Sequence, residues 1–165
     1  MKIAICSDSH DNLVNIEKFL KWCNKHRVQT IIHCGDWCAP SILEFYRKKF
    51  KGEIFGVYGN VHADEETVEK FAKKYKIKIK EDKLELEIEN IKIFITHYPD
   101  VAKRTATKAK YDLIFYGHDH TPWMKKIGKS YIVNPGTLAG MFNKATFGVY
   151  DTASRKMELV LLERI

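Results

Sequence analysis

Along the first half of the chain, short apolar runs alternate with stretches whose apolar residues recur at helical spacing. Ile3–Cys6 reads as a buried strand, since an unbroken apolar run bounded by polar residues suits a strand covered on both faces. Behind the capping candidates Asp11 and Asn12, Leu13, Ile16, Leu20 and Cys23 mark one face of a helix. Ile31-Ile32 begins a second strand, and Ile42, Phe45, Tyr46 and Phe50 line a second helix behind Pro40-Ser41. Ile54–Tyr58 is a third strand, followed by a helix carrying Val68, Phe71, Ala72 and Tyr75. This βαβαβ order predicts a parallel sheet with right-handed crossovers.

The second half changes period. Leu84, Leu86 and Ile88 alternate with glutamates, and Ile91, Ile93 and Ile95 alternate again beyond Asn90, which predicts a hairpin with one buried and one solvated face. Leu113–Tyr116 is another apolar run. Trp123–Val133 around Gly128 and Phe147–Leu161 around Ala153-Ser154 read as two further hairpins. A parallel half and an antiparallel half predict two sheets packed face to face with helices outside. No repeat, low-complexity stretch or linker interrupts the chain, so residues 1–165 are expected to form one domain.

Composition narrows the class. Hydrophobic residues at 45% and charged residues at 30% exclude a disordered or collagen-like chain. Apolar runs reach only about four residues, against the ~18 or more of a membrane span. The first apolar run ends at Ser7-Asp8, too soon for the roughly 7–15 apolar residues of a signal peptide, so a cytoplasmic location is expected. Cys6, Cys23, Cys34 and Cys38 read as reduced thiols, since Cys34-x-x-x-Cys38 lacks a second pair to complete a zinc site. The formal charge of +7 admits nucleic acid as a partner. However, Arg47-Lys48-Lys49, Lys73-Lys74 and Lys125-Lys126 are scattered, and no aromatic-and-basic stretch forms a strand-binding groove. A lysine-rich solvated surface is the plainer reading.

The informative pattern is what ends each strand. Ile3–Cys6 runs into Asp8-Ser9-His10, Ile31-Ile32 into Gly35-Asp36, and Ile54–Tyr58 into Gly59-Asn60 with His62 beyond. Ile91–Ile95 runs into Thr96-His97, and Leu113–Tyr116 into Gly117-His118-Asp119-His120. Taken singly, each is ordinary: Asp8 suits a helix cap, Gly59-Asn60 a turn, and a lone His97 a structural role. Together they place Asp, Asn and His at the carboxyl ends of five strands, where open α/β sheets bind ligands. Imidazole, carboxylate and amide oxygen without thiolate suit divalent first-row metals. Asp8, His10, Asp36, Asn60, His97, His118 and His120 are too many for one tetrahedral ion and enough for two. Two ions roughly 3.5–4 Å apart can clamp a phosphoryl group and generate hydroxide between them.

Asp8-x-His10, Gly35-Asp36, Gly59-Asn60, His97 and Gly117-His118-x-His120 resemble the calcineurin-like metallophosphoesterase signature, in that family's order. The likeness extends to Asn134-Pro135-Gly136, and the length resembles the family's small archaeal and bacterial phosphodiesterase branch. The resemblance implies a four-layer αββα sandwich of two mixed sheets flanked by helices. It also implies two divalent ions per subunit, drawn from manganese, nickel, cobalt, iron and zinc, with manganese or nickel favoured by the N/O donors. By matching motif, Asp8, His10 and His120 would hold the first ion and Asn60, His97 and His118 the second, with Asp36 bridging. A metal-bridging hydroxide would attack a small phosphate ester.

Two positions depart from the family's pattern. Thr96 stands where glycine often precedes the histidine. Val61 stands where many members carry a histidine that contacts phosphate or protonates the leaving oxygen. His62, one residue later, is the candidate to replace it if the loop bends, with Asp64 orienting it. His26 at a helix end and His33 inside a strand read as structural. The expected function is a phosphodiesterase; the alternatives are a phosphomonoesterase, a nuclease, or a non-enzymatic scaffold on the same fold. A homo-oligomer is left open.

Overall fold

The computed structural model describes residues 1–165 and has two sheets: the first joins strands from the two ends of the chain, and the second is built entirely from residues 83–134. In chain order the elements are β1 (Lys2–Cys6), α1 (Leu13–Lys25), β2 (Thr30–His33), α2 (Ser41–Lys49), β3 (Glu53–Val57) and α3 (Glu65–Tyr75). There follow β4 (Lys78–Lys80), β5 (Lys83–Ile88), β6 (Ile91–Thr96), α4 (Pro99–Ala106) and β7 (Leu113–Phe115). Last come β8 (Trp123–Ile127), β9 (Ser130–Asn134), β10 (Thr146–Asp151), β11 (Lys156–Leu161) and a short 3-10 turn. No helix is long and apolar enough to cross a membrane.

Alternation along β1 explains the layering. Ala4 and Cys6 join a core with Ile16, Phe19 and Leu20 of α1 and Tyr46 of α2, whereas Ile3 and Ile5 face Ile93, Ile95 and Phe115 of the opposite sheet. With both faces covered, the strand has no polar side, hence its unbroken apolar run. The second sheet is covered on its far side by α4, where Ala102 and Ala106 pack on Phe94, Ile114 and Ile132. The layers are therefore α1–α3, first sheet, second sheet and α4, as expected for an αββα sandwich. Truncating a fully buried isoleucine between the sheets would cost roughly 2–5 kcal/mol.

The structure departs from the sequence expectation in its partition. The Phe147–Leu161 hairpin joins the first sheet, whose order is β11-β10-β1-β2-β3-β4, with β10 antiparallel to β1. The second sheet, β5-β6-β7-β9-β8, contains the parallel pairs β6/β7 and β7/β9. Both sheets are thus mixed, because the open side of β1 needs a partner for its N–H and C=O groups. β6 is buried on both faces, since α4, absent from the periodicity reading, covers the side that carries Phe94. On α1 it is Phe19 that completes the core face, while Leu13 is half-exposed. The edge strand β4, Lys78-Ile79-Lys80, was too short and charged to register as a strand, which are common features of a protected edge.

β1, β2 and β3 run parallel in register, so their carboxyl ends form one rim. Just beneath it, His33 ends β2 fully buried, stacked on Trp37 at 3.9 Å between ring centroids. Its Nδ1 accepts from Gly35 N–H at 3.2 Å, so Nε2–H donates to Ser9 Oγ at 3.0 Å and the ring is neutral. Burial pulls its pKa down to about 3. Unfolding releases the ring to an ordinary value near ~6.5, so the unfolded chain binds the extra proton below that pH. The stabilisation by neutral His33 is therefore complete above that pH and is lost as pH falls towards 3. Between pH 6.5 and 4.5 the wild type should lose about 2 kcal/mol more stability than His33→Gln, read from denaturant midpoints at each pH. Parallel pH profiles for the two proteins would contradict this.

Candidate metal centre

Each strand end delivers its donor through a bent loop. Asp8 and His10 follow β1, Asp36 follows β2, Asn60 follows β3, His97 follows β6, and His118 and His120 follow β7. Five of these seven carry left-handed backbone: Asp8 (φ 50°), His10 (39°), Asp36 (58°), His118 (76°) and His120 (55°). Non-glycine residues rarely adopt that region, and such strain clusters where surrounding structure over-determines it. Glycines occupy the tightest approaches. At Gly59 (φ 94°) a Cβ would run into the Asp36 carboxylate, and at Gly35 (φ 113°) into the His97 ring.

The loops are pinned from outside. Asp8 N–H donates to Gly35 O at 3.0 Å, and Thr137 Oγ1 and Ala139 N donate to Asp8 O at 3.0 and 3.1 Å. Asn134 is fully buried, and its side-chain amide donates to Gly117 O and to Asp119 Oδ1. The 134–139 segment, which contains the Asn134-Pro135-Gly136 of the family likeness, therefore braces both Asp8 and the His118–His120 loop. Ser9, not singled out by sequence, ties His33 to the Asp36 carbonyl. Only distance along the chain hid these partners; no local pattern announces them.

The donor atoms converge. His10 Nε2 and His120 Nε2 are 3.3 Å apart, and His120 Nε2 is 3.3 Å from Asp8 Oδ1. On the other side, Asn60 Oδ1 is 2.9 Å from both His97 Nε2 and His118 Nδ1, and the two nitrogens are 3.2 Å apart. Asp36 lies between the groups: Oδ1 is 3.6 Å from His97 Nε2 and Oδ2 is 3.7 Å from His10 Nε2. Asp36 Oδ1 also accepts Asn60 N–H and Val61 N–H, each at 2.9 Å. Asp8, Asp36, His97 and His120 are buried, whereas Asn60 and His118 are exposed, so the cluster opens on their side.

Two imidazoles have their tautomers fixed by backbone carbonyls. His97 Nδ1–H donates to Cys34 O at 2.8 Å and His120 Nδ1–H to Met141 O at 3.3 Å. Each ring thereby turns a lone pair inward, the arrangement by which outer partners orient metal-binding histidines. His10 Nδ1 faces outward to Cys38 Sγ at 3.7 Å. Burial alone would raise the Asp8 carboxyl, yet attraction to His120 and His97 holds it below the usual carboxylate range. Reciprocally, Asp8 raises His120 above the ordinary imidazole value against the opposing effect of burial. The same inward lone pair can thus hold a proton or an ion, which makes metal and proton competitors there.

The donors fit divalent ions. Asp8 Oδ1 is buried without a hydrogen-bond partner, an unfavourable state for a carboxylate that a cation would relieve. Ligands ~2.1 Å from a common ion sit ~3.0–3.4 Å from one another, and the N···N and N···O separations of 2.9–3.3 Å match that. Counting carboxylate, imidazole and thiolate donors alone, the geometry yields two sets, Asp8/His10/His120 and Asp8/Asp36/His97. The first is the set that the motifs imply for one ion. In the second the carboxylate common to both is Asp8, beside the Asp36 expected to bridge.

His62 is not brought into this cluster. Cys38 pairs with it through the backbone, its ring packs on Tyr58 at 5.1 Å, and Nε2 lies 3.8 Å from Glu65 Oε1. Asp64 does not orient it: Asp64 caps α3 by accepting Thr67 N–H at 2.9 Å. Val61 is exposed on the loop beside Asn60.

Comparison with known proteins establishes the fold and the family. A phosphodiesterase of Methanocaldococcus jannaschii, MJ0936, is 30% identical over 167 residues, covering 99% of this chain and all of that protein. The solved structure of an archaeal phosphodiesterase superposes with a TM-score of 0.91 at 30% identity, over 98% of this chain and 99% of that one. Vps29 of Entamoeba histolytica, in complex with zinc, shares the fold at a TM-score of 0.70 and 18% identity, covering 98% of this chain and 99% of that one. A model of the calcineurin-like phosphoesterase superfamily domain matches residues 1–155, and the chain belongs to that superfamily.

Proposed function

We propose that the protein is a divalent-metal-dependent phosphodiesterase acting on small phosphate esters through a two-ion centre. The observation that supports it best is the pair of donor groups, each converging at ligand-edge distances, with Asp36 facing both. Asp8, His10 and His120 would hold one ion, Asn60, His97 and His118 the other, and Asp36 would serve both; manganese or nickel suits these N/O donors. When bound, such ions polarise the phosphoryl group and lower the pKa of water towards neutrality.

The chain's own residues set the conditions for this chemistry. Cys34 O and Met141 O keep His97 and His120 in the tautomer that points a lone pair inward. The backbone of Asn60 and Val61 holds one Asp36 oxygen in place, so the carboxylate cannot rotate away. Asn60 contributes an uncharged oxygen, which leaves net positive charge for an anionic substrate. Val61 offers no proton to a leaving group, and His62 turns towards Tyr58 and Glu65. Esters whose leaving groups need no proton, such as nitrophenyl diesters, are therefore the favoured substrates. The scattering of the basic clusters Arg47-Lys48-Lys49, Lys73-Lys74 and Lys125-Lys126 weighs against nucleic acid as the substrate.

Three outcomes are expected. Protein stripped by a chelator should lose hydrolysis of bis(4-nitrophenyl) phosphate and regain it with Mn, Ni or Co; full activity without metal would remove the basis of the reading. Asp36→Asn should lower kcat/KM by roughly a hundredfold or more at saturating metal, whereas His62→Ala should stay within about threefold. Comparable losses in the two variants would contradict the ranking. Finally, kcat/KM for the nitrophenyl diester should exceed that for the monoester, and Val61→His should raise turnover of alkyl leaving groups selectively, since a positioned acid contributes ~10²–10⁴-fold. A wild-type preference for the monoester would refute the acid-deficient assignment.

A further inference from the structure

Phe142 is the most exposed large apolar side chain of the molecule, 89% accessible, and its backbone is left-handed at φ 64°. A bulky aromatic residue in that region is an outlier, because glycine or asparagine would take it at lower cost. The position is also not slack. On one side Met141 O accepts His120 Nδ1–H, and on the other Asn143 Nδ2 donates to His120 O at 3.2 Å. Further back, Asn12 and Asn15 donate to Ala139 O at 3.0 and 3.1 Å. The segment is thus clamped on both flanks of the ring to the residue that faces Asp8 and His10. The Phe142 ring lies 5.5 Å from the His120 ring between centroids, tilted by 43°.

Folding gains little from such a residue, since the ring stays in water and the backbone is strained. Other exposed apolar side chains, Leu13 and Val14, sit on the regular helix α1 and carry no such strain. Tyr98, the aromatic nearest the other donor group, is half-buried and edge-on to His97 at 5.3 Å, so it forms a wall rather than a free face. Phe142 alone presents an open aromatic face within one ring's width of the donor cluster.

We propose that Phe142 is a specificity-determining platform on which a planar aromatic arm of the phosphodiester stacks while its phosphate occupies the donor cluster. This rests on the phosphodiesterase reading and narrows it to diesters that carry an aryl group or a nucleobase. Stacked aromatic pairs prefer centroid separations of about 4.5–7 Å, which a ring esterified to phosphate beside His120 could meet without moving the loop. Because the loop is held before the ligand arrives, the ring is already in place and little ordering is required on binding.

The test compares two non-hydrolysable probes, phenylphosphonate and methylphosphonate, by calorimetry on manganese-loaded protein, together with kinetics. Wild type should bind phenylphosphonate more tightly than methylphosphonate. Phe142→Ala should weaken phenylphosphonate about three- to tenfold and leave methylphosphonate unchanged, and Phe142→Trp should restore the difference. For bis(4-nitrophenyl) phosphate, Phe142→Ala should raise KM by a similar factor with kcat nearly constant. Phe142→Gly should be at least as heat-stable as wild type, which separates a role towards ligand from a role in folding. Equal weakening of both probes by Phe142→Ala, or no change in either, overturns the platform while leaving the phosphodiesterase reading intact. Failure of both probes to bind wild type, with no metal-dependent diesterase activity, overturns that reading and the platform with it.

Discussion

Acceptor atoms repel one another, and the structure depends on holding seven such side chains with their lone pairs turned to one place. Separations of 2.9–3.3 Å between imidazole nitrogens, carboxylate and amide oxygen are tolerable only where protons or cations lie between them. The His120–Asp8 pair shows the problem without metal: the carboxylate stays ionised despite burial, and the imidazole is more basic than usual. Asp8 Oδ1 still lacks a hydrogen-bond partner. A divalent ion would resolve this, and most of the fold can be understood as a frame that keeps the donors from relaxing apart.

That frame has two parts. The sandwich supplies rigidity: β1, β2 and β3 are parallel neighbours, and the isoleucines between the sheets lock their carboxyl ends against those of β6 and β7. The loops supply direction, at the cost of left-handed backbone in five of the seven donor residues, each on the order of 1–3 kcal/mol. Bonds to distant backbone hold them there, from Gly35, Thr137 and Ala139 onto Asp8 and from Asn60 and Val61 onto Asp36. A local sequence preference could not sustain so much unfavourable geometry. Tertiary hydrogen bonds can.

The same frame divides the site into a buried floor and an open rim. Asp8, Asp36, His97 and His120 form the floor, where low polarity strengthens electrostatic effects, and Asn60, His118 and Phe142 meet solvent. His33 extends this logic beneath the floor as a buried, neutral ring that carries Ser9 and the turn at Gly35 without adding charge. On the proposed reading, chemistry would take place at the floor and selectivity would be set at the rim.

Much of this was legible in the sequence. Apolar period located most strands and the first three helices, and residue type named the donors, because period and donor chemistry are local properties of the chain. The glycines at 35 and 59 also announced tight loops, although not what they would press against. What only the tertiary structure decided is non-local. The pairing of β10 with β1 put the last hairpin into the first sheet, and α4 buried a face of β6 that alternation alone left open to solvent. The course of the loop after Asn60 turned His62 towards Tyr58, although as a histidine one residue beyond Val61 it was a candidate for the site. Phe142 carried no signal at all, and Asn134 only that of a family likeness, since their meaning lies in proximity to His120 and to the Gly117–Asp119 loop. A sequence records which atoms are available, whereas backbone angles and cross-chain hydrogen bonds determine which of them meet.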